Sequence, residues 1–115
     1  MTIELKSTAK EIRAVVTGAK KVVTREIRPG NVRRFVHLND DEECTGVIGY
    51  DEIRLVCERE SLSCTARISR IMLMEIEDET GNLVHYEQNG KTYQAVDIDY
   101  HLGEVSDIVG EIPEV

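Results

Sequence analysis

Short alternations of apolar and polar residues fill most of this chain and limit it to a fold built mainly of strands. The segments 50–58, 64–77 and 92–101 alternate in this way, which is typical of half-buried strands. The chain has no Trp and a single Phe, Phe35, so its core is built mainly of Val, Ile and Leu. The β-branched members of that set favour strands. Shorter strands are predicted at 2–6, 20–27, 83–87 and 104–109.

Turn residues separate these strands and predict antiparallel connections. Residues 78–82 (DETGN) and 88–90 (QNG) are hairpin turns, the second marked by its Asn-Gly pair. Pro29-Gly30 ends the strand at 20–27, and Leu102-Gly103 is predicted to turn the chain before the last strand.

Helical patterns occur only in the N-terminal third. Thr8 and Glu11 form a capping-box pattern, Ile12 and Val15 continue it as an apolar stripe, and Gly18 suits the end of a helix. Residues 31–37 are predicted to form one or two further helical turns. Six or seven strands, with one or two helices in the N-terminal third, indicate an α+β fold with a mixed or antiparallel β-barrel.

The length of 115 residues is sufficient for one domain, which we expect to span residues 1–110 with a tail at 111–115. The first residues are charged where a signal peptide would be apolar. No apolar run approaches the roughly 18–20 residues that cross a bilayer. A cytoplasmic protein without membrane contact is expected.

The cysteines and histidines do not predict a metal or cofactor. Three cysteines without a Cys-x-x-Cys pair form neither a disulfide framework nor a zinc-binding motif. The three histidines are also scattered. We expect no metal and no cofactor.

Charge is distributed unevenly along the chain. Residues 1–36 carry nine basic and three acidic side chains, a net charge of +6, whereas the whole chain carries −8. The remainder therefore carries −14. Such a chain can present one cationic face while remaining acidic overall.

Three motifs resemble those of the ASCH domain family of the PUA-like superfamily. The segment 18–29 (GAKKVVTREIRP) is similar to the family signature G-x-K-x-x-[acid or Thr]-x-R. The segments 50–55 (YDEIRL) and 98–105 (IDYHLGEV) resemble a central strand and a closing element of the family, in the same order. The resemblance extends from the first strand to about residue 109.

This resemblance implies a PUA-like barrel with a cationic cleft beside the first helix. ASCH domains are proposed to bind RNA, and some are small amidohydrolases that deacetylate a modified cytidine. The signature Lys and Arg correspond to Lys20 and Arg25, and Gly18 corresponds to the turn glycine. Val23, however, stands where the family has an acid or Thr, and a valine cannot attack a carbonyl or transfer a proton.

The predicted function is therefore binding of RNA or a nucleotide. Guanidinium and ammonium groups suit phosphate oxygens, and an aromatic ring suits an unpaired base. Tyr86 is a second candidate for such a ring. The predicted binding residues are Lys20, Lys21, Arg25, Arg28, Arg33, Arg34 and Tyr50.

Two alternatives remain open at the level of sequence. An amidohydrolase acting on an N4-acetylcytidine-like nucleoside would use Lys20, Thr24 and Glu26, or Lys21 and Thr24 if the signature is shifted by one residue. No recognisable catalytic constellation accompanies these residues, so catalysis is not the favoured hypothesis. A protein-interaction module would use the acidic segment 39–43 or the acidic C-terminal half. The oligomeric state is left open.

Overall fold

A computed structural model describes residues 1–111 of the chain as a strand-rich α+β structure. Its helices are α1 (Ala9–Val16) and α2 (Val32–Phe35), with a 3-10 helix at Glu58–Glu60. Its strands are β1 (Thr2–Lys6), β2 (Val22–Ile27), β3 (Val36–Leu38), β4 (Cys44–Val47), β5 (Glu52–Cys57), β6 (Leu62–Glu75), β7 (His85–Gln88), β8 (Lys91–Gln94) and β9 (Val96–Val109). The α+β class and the position of both α-helices in the N-terminal third are confirmed.

The strands form one five-stranded sheet in the order β1-β5-β6-β9-β2 and two separate pairs, β3–β4 and β7–β8. Within residues 1–111 these sheets do not close into a barrel, so the predicted barrel is not observed. The physical reason is that β1 and β2 each have one neighbour in the large sheet, while the two short pairs bond only to themselves. The described residues contain nine strands instead of six or seven, because β3 and β4 were not predicted. The predicted strands 92–101 and 104–109 are instead divided at residue 95 into β8 and β9.

The described chain groups into two compact units. Unit 1 comprises residues 1–23, 49–70 and the described residues from 100 on, and unit 2 comprises residues 24–48 and 71–99. Strands β2, β6 and β9 contribute residues to both units. The expectation of a single domain over residues 1–110 stays a prediction, and the predicted tail lies outside the described residues apart from Glu111.

Unit 1 is built on three adjacent strands whose apolar residues are in register. Strand β1 runs parallel to β5, which pairs Ile3 with Ile53. Strand β6 runs antiparallel to β5 and places Ala66 opposite Ile53 and Cys64 opposite Leu55. All five of these side chains are buried. The alternating pattern predicted from the sequence therefore corresponds to one buried face.

Helix α1 begins as its sequence predicts. The Thr8 side chain accepts a hydrogen bond from the Glu11 backbone N–H at 3.1 Å, which satisfies one free donor of the first turn. Ile12 and Val15 are buried, and the helix contacts β5. None of the helices in residues 1–111 has both the length and the apolar character required to cross a membrane.

The two predicted hairpin turns are confirmed in unit 2. Asn89 and Gly90 have φ values of 53° and 78°, as the two-residue turn between β7 and β8 requires. At the turn over residues 78–82, Asp78 Oδ1 accepts hydrogen bonds from the backbone N–H groups of Thr80 and Asn82 at 2.8 and 3.0 Å. A hydrogen bond from the Thr80 hydroxyl at 2.7 Å, together with these backbone bonds, holds the pKa of the exposed Asp78 carboxyl below its usual value.

The predicted turn at Leu102-Gly103 is wrong. Strand β9 continues without interruption from Val96 to Val109, and a Cβ added at Gly103 would lie at an ordinary 3.9 Å from Arg67 Cβ. Gly110, just beyond the strand, has φ +100°, and a Cβ there would lie 2.8 Å from the Ser61 carbonyl oxygen. The glycine that this end of the chain requires is thus Gly110.

We expect opposite effects of alanine at these two glycines. Gly103→Ala should keep or raise the free energy of unfolding, by up to about 1 kcal/mol, because alanine restricts the unfolded chain. Gly110→Ala should lower it by more than about 1 kcal/mol, because of the positive φ and the close approach to Ser61. Urea unfolding followed by circular dichroism measures both variants. A larger loss at Gly103 than at Gly110 would contradict the continuous strand.

Candidate functional site

The cavity beside the first helix lies in unit 1 and contains two of the predicted binding residues. Lys20 and Lys21 line a space of about 340 Å³ together with the C-terminal end of α1 and the β9 residues Leu102, Gly103 and Val105. Lys21 also anchors this region through its backbone, because its carbonyl accepts a hydrogen bond of 2.8 Å from the Leu102 N–H.

Lys20 is already paired within this cavity. Its Nζ lies 3.0 Å from Glu11 Oε2, and the Glu11 side chain is only 13% exposed. The second Glu11 oxygen accepts a hydrogen bond from Ser7 Oγ at 2.5 Å. Because a carboxylate already offsets its charge, Lys20 attracts an anion less strongly than the sequence suggested.

Val23, the departure from the ASCH signature, is a core residue with no exposed surface. The next residue in β2, Thr24, is exposed, as alternation along a strand requires. Thr24 Oγ1 donates a hydrogen bond of 2.6 Å to Asp99 Oδ1. The three residues that an amidohydrolase would use are divided between the units. Thr24 and Glu26 belong to unit 2, and Lys20 belongs to unit 1.

A second cavity lies wholly in unit 2 and has a volume of about 630 Å³. We call it the tyrosine–arginine groove. Its polar lining consists of Arg28, Arg33, Glu42, Cys44, Tyr86, Tyr93 and Gln94, and its apolar lining consists of Ile27, Pro29, Val32, Val36, Leu38, Leu73 and Val96. With the two tyrosines, nine of these fourteen residues are hydrophobic or aromatic, and a predominance of such residues is usual in small-molecule sites.

Two tyrosines and one arginine are the central feature of this groove. Tyr86 in β7 and Tyr93 in β8 are direct cross-strand partners, and their ring centroids lie 5.7 Å apart in a stacked arrangement. The Arg28 guanidinium carbon lies 4.1 Å from the centroid of the Tyr86 ring, within the range of a cation–π contact. The groove thus presents aromatic surface and a positive charge side by side.

Asn31 determines the course of the turn that carries Arg28. Its Oδ1 accepts a hydrogen bond from the Arg28 N–H at 2.8 Å, and its Nδ2 donates to the Glu26 carbonyl at 3.2 Å. The backbone from residue 26 to 31 is therefore closed upon itself, with Pro29-Gly30 at its tip. The Arg28 side chain forms an ion pair with the Glu26 carboxylate, so it contacts both Glu26 and the Tyr86 ring.

The Asp97 carboxyl of unit 2 is affected by two other acids and by Arg28. Burial raises the pKa of the half-buried Asp97 carboxyl, repulsion from Glu26 and Asp99 raises it further, and the Arg28 charge partly opposes the shift. Ionisation of Asp97 is therefore less favourable than that of an ordinary aspartate.

The remaining predicted residues do not line either cavity. Arg25 donates a hydrogen bond of 2.9 Å to the Thr24 carbonyl. The Arg34 guanidinium lies 5.9 Å from the Phe35 ring centroid. Tyr50 is half-buried in unit 1. Of the seven predicted binding residues, the structure brings Lys20 and Lys21 together in one cavity and Arg28 and Arg33 together in the other.

Tyr93 and Gln94 of the groove were not among the predicted binding residues, although the sequence contains a signal for Tyr93. A two-residue Asn89-Gly90 turn sets the register of the hairpin and pairs residue 86 with residue 93. Given Tyr86 as a candidate stacking residue, this register identifies Tyr93 as its cross-strand partner. The contribution of Gln94 depends on tertiary packing and has no comparable signal.

Within residues 1–111 no group of three or more His, Cys, Asp or Glu side chains is arranged to hold a metal ion. Comparisons of the chain with models of protein families, with curated proteins and with solved structures found no match. The function is therefore inferred from the residues of the groove itself and from the signature motifs.

We expect Asp97→Asn to stabilise the protein at neutral pH. A carboxyl whose folded pKa exceeds its unfolded value destabilises the native state when it is ionised. This penalty is complete above the folded pKa and absent below the unfolded value of about 3.9. The melting temperature of Asp97→Asn should exceed that of the parent at pH 7, and the difference should disappear as the pH falls below about 4.

Asp40→Asn provides the control, because it removes an exposed acid of the same unit. This variant should leave the melting temperature at pH 7 nearly unchanged. Equal stabilisation by both variants would attribute the effect to net charge, and it would contradict the local origin of the Asp97 shift.

Proposed function

We propose that this chain is an ASCH-like domain that binds a nucleotide or single-stranded RNA through the tyrosine–arginine groove. The observation that carries the proposal is the Arg28 guanidinium 4.1 Å from the Tyr86 ring, with Tyr93 stacked beside it. A nucleobase stacks on such rings, and a guanidinium binds phosphate oxygens. The resemblance of residues 18–29 to the ASCH signature supports the same proposal.

The dimensions and lining of the groove support a ligand of this class. Its volume of about 630 Å³ is in the range typical of small-molecule sites. Gln94 offers both an amide donor and an acceptor for the edge of a base. Arg33 adds a second guanidinium that lines the groove, and within residues 1–111 no ion pair or hydrogen bond engages it.

This proposal moves the binding site away from the first helix. Lys20 and Arg28 are each paired with a carboxylate, but Arg28 also lies against an aromatic ring. Arg33 lines the same groove. The combination of stacking and charge in unit 2 suits a nucleotide better than two lysines beside mostly apolar residues do.

Replacement of Tyr86 should weaken binding through the loss of a stacking surface. Tyr86→Leu is expected to reduce the affinity for short single-stranded RNA or a nucleotide by roughly 1–3 kcal/mol. Tyr50→Leu serves as the matched control, because Tyr50 lies in unit 1 and lines neither cavity. NMR titration of the labelled protein measures both affinities, and thermal melting verifies that each variant is folded. An equal loss of affinity in both variants would contradict the assignment of the binding site to the groove.

Two adjacent arginines of helix α2 allow a similar comparison. Arg33 lines the groove and Arg34 does not. Arg33→Gln should weaken the binding of a phosphate-bearing ligand by about 1.5–3 kcal/mol, the value of a charge-assisted hydrogen bond, whereas Arg34→Gln should have little effect. If no nucleotide or RNA shifts the resonances of groove residues, the proposal fails, and the acidic surface becomes the candidate for a protein partner.

A further inference from the structure

We infer that the tyrosine–arginine groove selects a nucleotide with a terminal phosphate over the phosphodiester chain of RNA, and that Glu26 determines this selectivity. This inference rests on the proposed function and specifies its ligand. Two observations carry it, namely the ion pair that already engages Arg28 and the net charge of unit 2.

Arg28 is the groove cation next to the aromatic surface, and it is not free. It forms an ion pair with the Glu26 carboxylate, and both side chains are about half exposed, at 42% and 51%. An incoming phosphate must therefore replace Glu26 as the partner of Arg28. Glu26 acts as a competitor for anions that is part of the protein itself.

The charge of the ligand decides this competition. A phosphodiester within RNA carries one negative charge, the same as the Glu26 carboxylate that it would replace. A terminal phosphate monoester carries about −1.5 to −2 at pH 7 and has three acceptor oxygens. It gains more from the bidentate guanidinium than the carboxylate does. The exchange at Arg28 is consequently favourable for a terminal phosphate and close to neutral for a phosphodiester.

The surroundings of the groove oppose a long polyanion. The residues of unit 2 include five basic and twelve acidic side chains, a net charge of −7. Each additional phosphate of an RNA strand would approach this surface with a like charge, whereas RNA-binding domains normally present an excess of positive charge along the strand. A mononucleotide places its single phosphate at Arg28 and avoids this repulsion.

The backbone of this site does not depend on the Glu26 carboxylate. Asn31 holds the turn through the backbone N–H of Arg28 and the backbone carbonyl of Glu26. Glu26→Gln therefore releases the Arg28 side chain while the turn keeps its hydrogen bonds. This makes Glu26 a specificity-determining residue whose effect on binding can be measured without loss of the fold.

The test compares three ligands that share one base: a nucleoside, its 5′-monophosphate and the methyl ester of that monophosphate, which has a single charge. For the parent protein, the monophosphate should bind about tenfold or more tightly than the nucleoside, the size of a charge-assisted hydrogen bond. The methyl ester can gain only from Arg33, which also lines the groove, so it should bind at least several-fold less tightly than the monophosphate. For Glu26→Gln, the methyl ester should bind more tightly than it does to the parent protein, and nucleoside affinity should not change.

Glu79→Gln is the control, since it removes one exposed acid of unit 2 outside the groove. The affinities of this variant for the three ligands should rank in the same order as those of the parent protein. The inference is overturned if the methyl ester matches the monophosphate on the parent protein, or if Glu79→Gln reproduces the effect of Glu26→Gln. In either case the nucleoside still binds and the proposed function stands. If none of the three ligands binds, the proposed function and the inference both fail.

Discussion

The apolar layer between helix α1 and strands β1, β5 and β6 is the constraint on which unit 1 depends. Ile53 and Leu55 of β5 are fully buried, and each lies opposite a smaller residue of β6, Ala66 or Cys64. This alternation of size leaves room for the helix, whose Ile12 is also fully buried. Each such side chain contributes about 1.5–3 kcal/mol through burial, so a chain without tryptophan still forms a core.

The same strands carry polar groups on their other face. Arg54, between Ile53 and Leu55 in β5, donates hydrogen bonds to the buried hydroxyls of Thr65 and Ser63 at 3.3 and 3.1 Å. Arginine in this setting is structural. Unit 2 uses arginine differently, because Arg28 lies in a short closed turn next to an aromatic pair. The presence of a guanidinium beside stacking surface, rather than the number of basic residues, identifies the candidate site.

Local patterns predicted the elements of this fold well where a local interaction decides the structure. The capping residue Thr8 and the Asn89-Gly90 turn act within a few residues, and both have the predicted geometry. The prediction at Leu102-Gly103 was wrong because an extended strand tolerates glycine when its neighbours supply the hydrogen bonds. For the site, Arg28 and Arg33 were identified by charge and by proximity to the signature, but their separation from Lys20 into another unit was not.

The sequence by itself determined most of the segments that become strands or helices, since periodicity and turn chemistry are properties of neighbouring residues. It also determined the chemical character of the candidate ligand, through the arginines and tyrosines available. Only the tertiary structure decided how the strands pair and which charges remain available. Glu11 is nine residues from Lys20 and reaches it through the end of a helix, and Tyr86 reaches Arg28 across 58 residues. Such contacts depend on the packing of distant segments, which no local pattern encodes.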